Sequence, residues 1–238
     1  MSNIVDFHTH ILPRMDDGSN SSECSLAMLR AEYEQGIRRV VLTPHFYADH
    51  DSPKRFLERR DASDKRLLEV ADGVTDLPKI YVGAEVHYFD GMSDSEHIRD
   101  LAIRGTDHVL VEMPMSRWSD RMLRELEDIY QKCRLTPIIA HVDRYVTPLG
   151  VKGPFERLAV LPVMVQVISS FFLNIFSRKN ALKLLADKKI HLLGSDCHNM
   201  GNRAPDLDKA LRFIRRKLGE DAVAYINSQE NKIIPVEE

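Results

Sequence analysis

Residues 4–10 of the chain read Ile-Val-Asp-Phe-His-Thr-His, an apolar and β-branched run that ends on two histidines. A short run of this kind, at Ile4–Phe7, is typical of a buried strand. Similar runs recur and predict seven strands, at Ile4–Phe7, Arg39–Thr43, Ile80–Ala84, Val109–Met113, Pro137–Ala140, Val163–Val167 and Ile190–Gly194.

Stretches with helical periodicity lie between these strands. The clearest are Glu23–Gln35, Pro53–Val70, Asp120–Cys133, Lys179–Lys188 and Asp206–Leu218. Strands that alternate with helices pair in parallel, because each crossover helix returns the chain to the same edge of the sheet. No linker rich in Gly, Pro or Ser divides the chain. We therefore predict one α/β barrel domain over residues 1–238, related to the (β/α)₈ barrel but with fewer strands.

The composition narrows the class of protein. The 238 residues are 43% hydrophobic and 29% charged, with a formal net charge of −3, which is the balance of a globular protein. This charge provides no strong attraction to nucleic acid or to an anionic membrane, so we expect neither as a partner. Three cysteines and a start without a basic, apolar leader favour a cytoplasmic protein.

One apolar segment is long enough to span a bilayer. It runs from Leu158 to Ser177 and contains no Asp, Glu, Lys or His. Pro162 and several polar residues interrupt it, and Gln166 lies inside its most apolar part. We therefore interpret the segment as a buried strand followed by a turn and a helix, and we predict no membrane span.

Side chains that can bind a metal follow almost every predicted strand. They are His8 and His10 after the first strand, His45 after the second, Glu85 after the third, Glu112 at the end of the fourth, His141 after the fifth, and Asp196 and His198 after the seventh. The active sites of parallel barrels lie at this end of the strands. Because alternate residues of an extended chain point to the same side, His8 and His10 can reach one ion. Nitrogen and oxygen donors without a thiolate favour manganese, iron or catalytic zinc.

Further charged residues adjoin these positions. The sequence Asp16-Asp17-Gly18 is typical of a turn, and one of its carboxylates is placed to join the ligands. Arg144 and Arg203 follow two of the ligand positions, and a guanidinium binds phosphate oxygens in pairs. Four carboxylates that face three divalent ions and a hydroxide leave the site positive, so it attracts an anion.

Six motifs occur in order along the chain, Asp6-Phe7-His8-Thr9-His10, Asp17-Gly18, Thr43-Pro44-His45, Gly83-Ala84-Glu85, Ala140-His141-Val142-Asp143-Arg144-Tyr145 and Ser195-Asp196-Cys197-His198-Asn199. Together they resemble the PHP (polymerase and histidinol phosphatase) superfamily. Within it, the chain is most similar to the bacterial tyrosine-protein phosphatases of capsular and exopolysaccharide synthesis. The resemblance covers nearly the whole chain and implies a distorted (β/α)₇ TIM-like barrel as a single domain.

The resemblance also implies up to three divalent metal ions, most commonly manganese, with iron or zinc as alternatives. It assigns one ion to His8, His10, Glu85 and Asp196, a second to Glu112, His141 and a bridging Glu85, and a third to Asp17, His45 and His198. Arg144 and Arg203 match the positions that contact phosphate in the family and are the predicted catalytic residues.

The implied activity is hydrolysis of phosphotyrosine on the bacterial tyrosine autokinase that controls polysaccharide export. Three alternatives stay open at this point. The same centre could hydrolyse a small phosphate ester such as histidinol phosphate. Cys197 and Arg203 have the Cys-x₅-Arg spacing of cysteine phosphatases, which use a thiolate nucleophile. A barrel that has lost its activity could act as a regulator.

One segment departs from the pattern of the family. Ile168 stands where a polar residue is usual, and Phe171 and Phe172 follow it. The added apolar character favours either a self-association surface, and so a homo-oligomer, or a rim that contacts the substrate.

Overall fold

The strands of the computed structural model, which describes residues 4–146 and 153–236, are short and parallel. They are β1 Val5–Thr9, β2 Arg39–Leu42, β3 His45–Phe46, β4 Lys79–Val82, β5 Glu85–His87, β6 His108–Glu112, β7 Thr136–Ile139, β8 Met164–Ile168 and β9 Leu192–Gly194. Every one of the seven predicted strands is present, with each end within two residues of its predicted position. The predicted α/β fold with a parallel, barrel-like sheet is confirmed.

Two neighbouring strands of the sheet are each split into two short strands at the same height in the sheet. Thr43 and Pro44 separate β2 from β3, and residues 83–84 separate β4 from β5. Proline has no N–H group to donate to a neighbouring strand, so it ends the regular pairing. Regular pairing resumes directly after the interruption, where β3 pairs with β5 and His45 lies opposite Glu85.

The sheet curls until its last strand returns to its first. The strands pair in the order β1-β2-β4 and β3-β5-β6-β7-β8-β9. A parallel bridge then joins Thr9 to Cys197, just beyond β9, and His10 N–H donates to the Cys197 carbonyl at 2.9 Å. The carboxyl ends of all these strands therefore surround one central region.

The helices pack on the outside of the sheet. They are α1 Ser22–Glu34, α2 Pro53–Ala71, α3 Asp120–Cys133, α4 Gly153–Leu158, α5 Ser169–Leu173, α6 Arg178–Ala186, α7 Leu207–Leu218 and α8 Glu220–Ile233, with 3₁₀ turns at Met92–Asp94 and Val142–Tyr145. The five predicted helices are confirmed, and α3 has the predicted bounds. No helix in the described part of the chain is long and apolar enough to cross a membrane.

Alternate residues of the strands supply two apolar layers. Val5, Val41 and Leu110 belong to a smaller cluster, whereas the apolar residues next to them in sequence join the main core, in which the helices also take part. Burial on both faces explains why the strands read as continuous apolar runs. The smaller cluster forms an apolar floor below the polar residues at the strand ends.

The expectation that Phe171 and Phe172 form a surface is wrong. Both lie in α5 and are buried, with exposures of 5% and 0%, because they join the main core. Exposed apolar side chains occur instead at Ile175 and Phe176, in the loop that follows α5. A homo-oligomer stays a prediction.

Candidate metal centre

A bulge in β1 aims the first two histidines at the centre of the barrel. Asp6 lies opposite Val40, but three residues later Thr9 lies opposite Leu42, so β1 contains one residue more than β2 in this interval. An extra residue reverses the facing of the side chains that follow it. His8 and His10 are consequently fully buried at the carboxyl end of the strand.

Four side chains from three strand ends place one donor atom each in a small volume. His8 Nε2 lies 3.1 Å from both His10 Nε2 and Glu85 Oε2, and His10 Nε2 lies 3.4 Å from Glu85 Oε2. Asp196 Oδ1 is 3.3 Å from His10 Nε2 and 3.6 Å from His8 Nε2. Donors around an ion at about 2.1 Å are separated by roughly 3.0–3.4 Å, so this group has the spacing of a metal site.

Glu85 connects this group to a second one. Its Oε2 atom belongs to the first group, while its Oε1 atom lies 2.8 Å from His141 Nε2. Glu112 Oε1 is 3.4 Å from the same nitrogen. One carboxylate thus presents its two oxygens to two neighbouring donor sets, which is the geometry of a bridging ligand.

A third group lies towards the surface. Asp17 Oδ1 is 3.3 Å from His198 Nε2 and 3.6 Å from His45 Nε2. The other nitrogen of His45, Nδ1, lies 2.9 Å from Glu85 Oε2, so His45 joins this group to the first. The structure therefore brings together all nine residues that the sequence indicated as metal ligands, and their role as ligands stays a prediction.

The polar atoms of the cluster suit a cation. Within residues 4–146 and 153–236, Glu85 Oε2, His45 Nδ1 and His198 Nε2 are buried, and although they lie close to other donors and acceptors, none of them makes a hydrogen bond of suitable geometry. Burying a polar atom without a partner is unfavourable, and ions bound within the cluster would supply the missing partners. The donors are imidazole nitrogens and carboxylate oxygens, which bind manganese, iron and catalytic zinc.

The backbone is strained at two of these positions. His141 and Asp196 have φ angles of 32° and 56°, in the left-handed region that residues other than glycine seldom adopt. Both stand two residues beyond a strand end, where the turn redirects the side chain into the centre. Strain of this kind costs about 1–3 kcal/mol and is concentrated at functional sites.

Residues that the sequence did not single out orient the ligands. Asp16 Oδ2 lies 2.8 Å from His10 Nδ1 and accepts a hydrogen bond from the His45 N–H at 2.9 Å. Gln166 Oε1 accepts the His141 N–H at 2.6 Å. A partner on the second ring nitrogen fixes both the tautomer and the direction of a metal-binding histidine. In the sequence, the signals that could have indicated these two residues were an acidic residue beside Asp17, which is Asp16, and a polar residue within an apolar strand, which is Gln166.

The charges of the cluster stabilise one another. Burial disfavours a charged His10, yet hydrogen bonds to three carboxylates, with that of Asp16 the strongest, raise its pKa well above the ordinary value. Burial also opposes the charge on His141, but Glu112 and Glu85 raise its pKa to about 9. In the ion-free protein these imidazoles therefore hold protons that a divalent ion has to displace.

Both predicted phosphate-binding arginines meet at the edge of the cluster. Arg144 Nη2 and Arg203 Nη2 each donate to Asp196 Oδ2, the latter at 2.8 Å. Arg203 Nη1 also lies 3.7 Å from Asp17 Oδ2. Two cationic side chains thus adjoin the candidate metal centre.

The cysteine alternative does not fit the structure. Cys197 is 1% exposed, and its thiol is directed towards Glu32, with Sγ 3.9 Å from Oε1. Burial and the neighbouring Glu32 and Asp6 raise the pKa of the thiol well above its ordinary value. A thiolate nucleophile needs the opposite environment, which is exposed and electropositive.

The chain matches a known protein family over nearly its whole length. The model of the family described as capsular polysaccharide synthesis, CpsB/CapC, matches residues 4–234. The chain belongs to the CpsB/CapC family. This membership confirms the resemblance to the capsular phosphatases that the six sequence motifs indicated.

Individual CpsB/CapC proteins are similar over most of their length. The chain is 28% identical over 228 residues to tyrosine-protein phosphatase YwqE of Bacillus subtilis, covering 92% of this chain and 86% of that protein. It is 28% identical over 226 residues to tyrosine-protein phosphatase CpsB of Streptococcus pneumoniae, covering 91% of each. A solved structure from work on YwqE and CpsB, described as unique metal-dependent tyrosine phosphatases, superposes with a TM-score of 0.80 at 25% identity, covering 98% of this chain and 96% of the other.

Proposed function

We propose that this chain is a metal-dependent protein-tyrosine phosphatase that acts in bacterial capsular or exopolysaccharide synthesis. The observation that carries the proposal is the double role of Asp196. Its Oδ1 atom lies among the imidazoles of His8 and His10, and its Oδ2 atom accepts from Arg144 and Arg203. One carboxylate therefore joins the proposed cation site to the proposed anion site, an arrangement that suits metal-assisted hydrolysis of a phosphate ester.

The three donor groups described above are the places where the ions would be held. Divalent ions bound there supply Lewis acidity and lower the pKa of water towards neutrality. His8, His10, Glu85 and Asp196 would hold one ion, Glu85, Glu112 and His141 a second, and Asp17, His45 and His198 a third. Manganese is our proposal for the ion.

The arginines bind and orient the phosphate. Arg144 and Arg203 are both about one third exposed, so they line the open side of the centre rather than its buried floor. Guanidinium groups at this position neutralise the charge that develops on phosphoryl oxygens. A phenolate leaving group, with a conjugate acid of pKa near 10, needs less protonation than an alkoxide. The arrangement thus suits an aryl phosphate without a dedicated proton donor.

The proposed substrate is a phosphotyrosine-containing protein, and specifically the tyrosine autokinase of polysaccharide export. The names of YwqE and CpsB support the tyrosine specificity, and the description of the family supports the role in capsule synthesis. We further propose that the protein acts in the cytoplasm.

Metal-dependent turnover tests the proposal. The protein is stripped with a chelator, reloaded with Mn²⁺, Zn²⁺, Fe²⁺ or Mg²⁺, and assayed on phosphotyrosine and phosphoserine peptides. We expect activity to return with the ion and to favour phosphotyrosine. His141→Ala should abolish it, whereas His97→Ala, at an exposed histidine that pairs with Asp100, should not.

The same assay separates the alternatives. Faster turnover of histidinol phosphate than of phosphotyrosine peptide would mean that the substrate is a small phosphate ester. Full metal occupancy without turnover of any phosphate ester would show a regulator rather than an enzyme.

A further inference from the structure

A cavity of about 350 Å³ opens beside the candidate metal centre. Its walls include Met15, Asp17, His45, Tyr47, Phe56 and Arg59. Two of these, Asp17 and His45, also belong to the outermost donor group. The volume is at the lower end of the range for small-molecule sites, about 300–1,000 Å³.

The walls of the cavity are mixed, since the apolar Met15 and Phe56 stand beside the carboxylates of Asp16, Asp17 and Asp51. Met15 and Phe56 are buried side chains of the main core. Arg59 donates to Asp51 Oδ2 through Nε at 3.2 Å and Nη2 at 2.7 Å, so its charge is already paired. The wall carboxylates repel a second anion, so the cavity favours a group without negative charge.

Tyr47 is an aromatic side chain of the cavity wall that lies against the ligand His45. Its ring centroid is 5.4 Å from that of His45 and 5.3 Å from that of His87, and both rings are tilted by about 30–40° relative to it. His87 in turn bonds to Glu112, with Nδ1 3.0 Å from Oε2. The tyrosine ring is therefore held in place by two histidines that are themselves fixed by the centre.

The cavity and the anion site share a wall. Asp17 lines the cavity, and its Oδ2 atom lies 3.7 Å from Arg203 Nη1. Only the side chain of Asp17 therefore separates a phosphate bound at Arg203 from the mouth of the cavity. The group attached to that phosphate can extend from the anion site into the cavity.

We propose that this cavity receives the aromatic ring of the substrate, and that Tyr47 is the residue that selects aryl phosphates over alkyl phosphates. This inference rests on the proposed function and names the part of the site that recognises tyrosine. Stacked or tilted aromatic pairs add favourable free energy beyond the area that they bury. An aliphatic phosphoserine side chain is too short to reach the ring and gains nothing from it.

Binding of two phosphonates that cannot be hydrolysed tests the assignment. Phenylphosphonate and methylphosphonate share the anionic group and differ in the ring, so the ratio of their affinities reports on the cavity alone. On the Mn²⁺-loaded protein we expect calorimetry to show a preference of at least threefold for phenylphosphonate. Tyr47→Ala should remove most of that preference and leave the affinity for methylphosphonate unchanged. Tyr47→Phe should keep the preference, because it keeps the ring.

The matched control is Tyr130→Ala, which removes a half-exposed tyrosine from α3. It should bind both phosphonates like the parent. Equal binding of the two phosphonates by the parent, or an unchanged preference in Tyr47→Ala, would overturn the assignment. A parent that prefers phenylphosphonate but does not hydrolyse phosphotyrosine would refute the proposed function while leaving the cavity assignment intact.

A kinetic measurement gives a second readout. Tyr47→Ala should lower kcat/KM for a phosphotyrosine peptide by about three- to tenfold, mainly through KM, and leave kcat/KM for a phosphoserine peptide unchanged. An equal loss on both peptides would mean that Tyr47 supports the metal centre instead, and would also overturn the assignment.

Discussion

Asp16 is the residue whose replacement best tests how the centre is built. Its carboxylate lies 2.8 Å from His10 Nδ1, accepts from the His45 N–H at 2.9 Å, and accepts from the Gly18 N–H at 2.9 Å. It touches no other predicted ligand in these bonds, and so acts by orienting His10 and His45. Asp16→Asn keeps the size and one acceptor oxygen but removes the charge.

The expected loss follows from the buried contact with His10. Removing the orienting carboxylate of a metal-binding histidine weakens metal affinity by about 10- to 100-fold. The same carboxylate raises the pKa of His10 in the ion-free protein, against the effect of burial. Asp16→Asn therefore also weakens the competition from protons, which partly offsets the loss at low pH. The deficit should be larger at about pH 8.5 than at about pH 6.5.

Titration calorimetry of the chelator-treated protein with Mn²⁺ at both pH values measures this effect. The chain provides a matched control in Asp100, which lies 3.1 Å from the exposed His97 in the same kind of pair. Asp100→Asn should bind Mn²⁺ like the parent. A parent-like affinity of Asp16→Asn at the higher pH, or a deficit that grows as the pH falls, would refute the reasoning.

Three further outcomes can be checked. Arg203→Ala should lower kcat/KM for aryl phosphates by about 10²–10³-fold, by analogy with the loss of an oxyanion donor, whereas Arg212→Ala on the exposed face of α7 should not; equal effects in steady-state assays would contradict this. Cys197→Ser should keep most of the turnover, because the buried thiol has a raised pKa, and abolished activity in the metal-loaded variant would disprove it. Burial raises the pKa of Glu230 from 4.5 to about 8, so the folded state retains this proton more tightly and stability falls as the pH rises between these values. Glu230→Gln should then be more stable than the parent at about pH 8 by a few kcal/mol in urea unfolding. A gain in stability that appears only at low pH would contradict this prediction.

The strands could be predicted from local sequence because each is buried on both faces. Val40 and Val41 illustrate this, since one joins the main core and the other the smaller cluster. The bulge of β1 could not be predicted, because it depends on pairing with a strand more than thirty residues away. Counting alternate positions from Ile4 places His8 on the face of Ile4, in the outer core, whereas the extra residue directs it to the centre.

The choice between neighbouring acidic residues was also beyond local patterns. Asp16 and Asp17 have the same propensity for a turn, and only the turn geometry decides which one faces His10. The N–H of Gly18 bonds to Asp16 Oδ1 and helps to hold that carboxylate against the histidine, while Asp17 remains 66% exposed. The sequence therefore indicated an oxygen donor at this turn but not the orienting carboxylate beside it.

The prediction that the aromatic pair after β8 forms a surface was wrong for a related reason. Phe171 and Phe172 lie in one short helix, and composition alone does not distinguish an apolar helix against the core from an apolar surface. The packing of α5 beside α6 and α7 settles their burial.

The matching breaks at residues 43–44 and 83–84 of two neighbouring strands limit where residues can be inserted into or deleted from this chain. His45 and Glu85 are held opposite each other by the pairing of β3 with β5. A deletion of one residue between Leu42 and His45 would turn the imidazole to the opposite side of its strand, and β5 would have to slip to follow it. Insertions are tolerable only further along, after Phe46 and after His87, where the donors already stand in place. Divergence among related chains should therefore accumulate in the loops that frame the substrate, and leave the ion-binding spacing untouched.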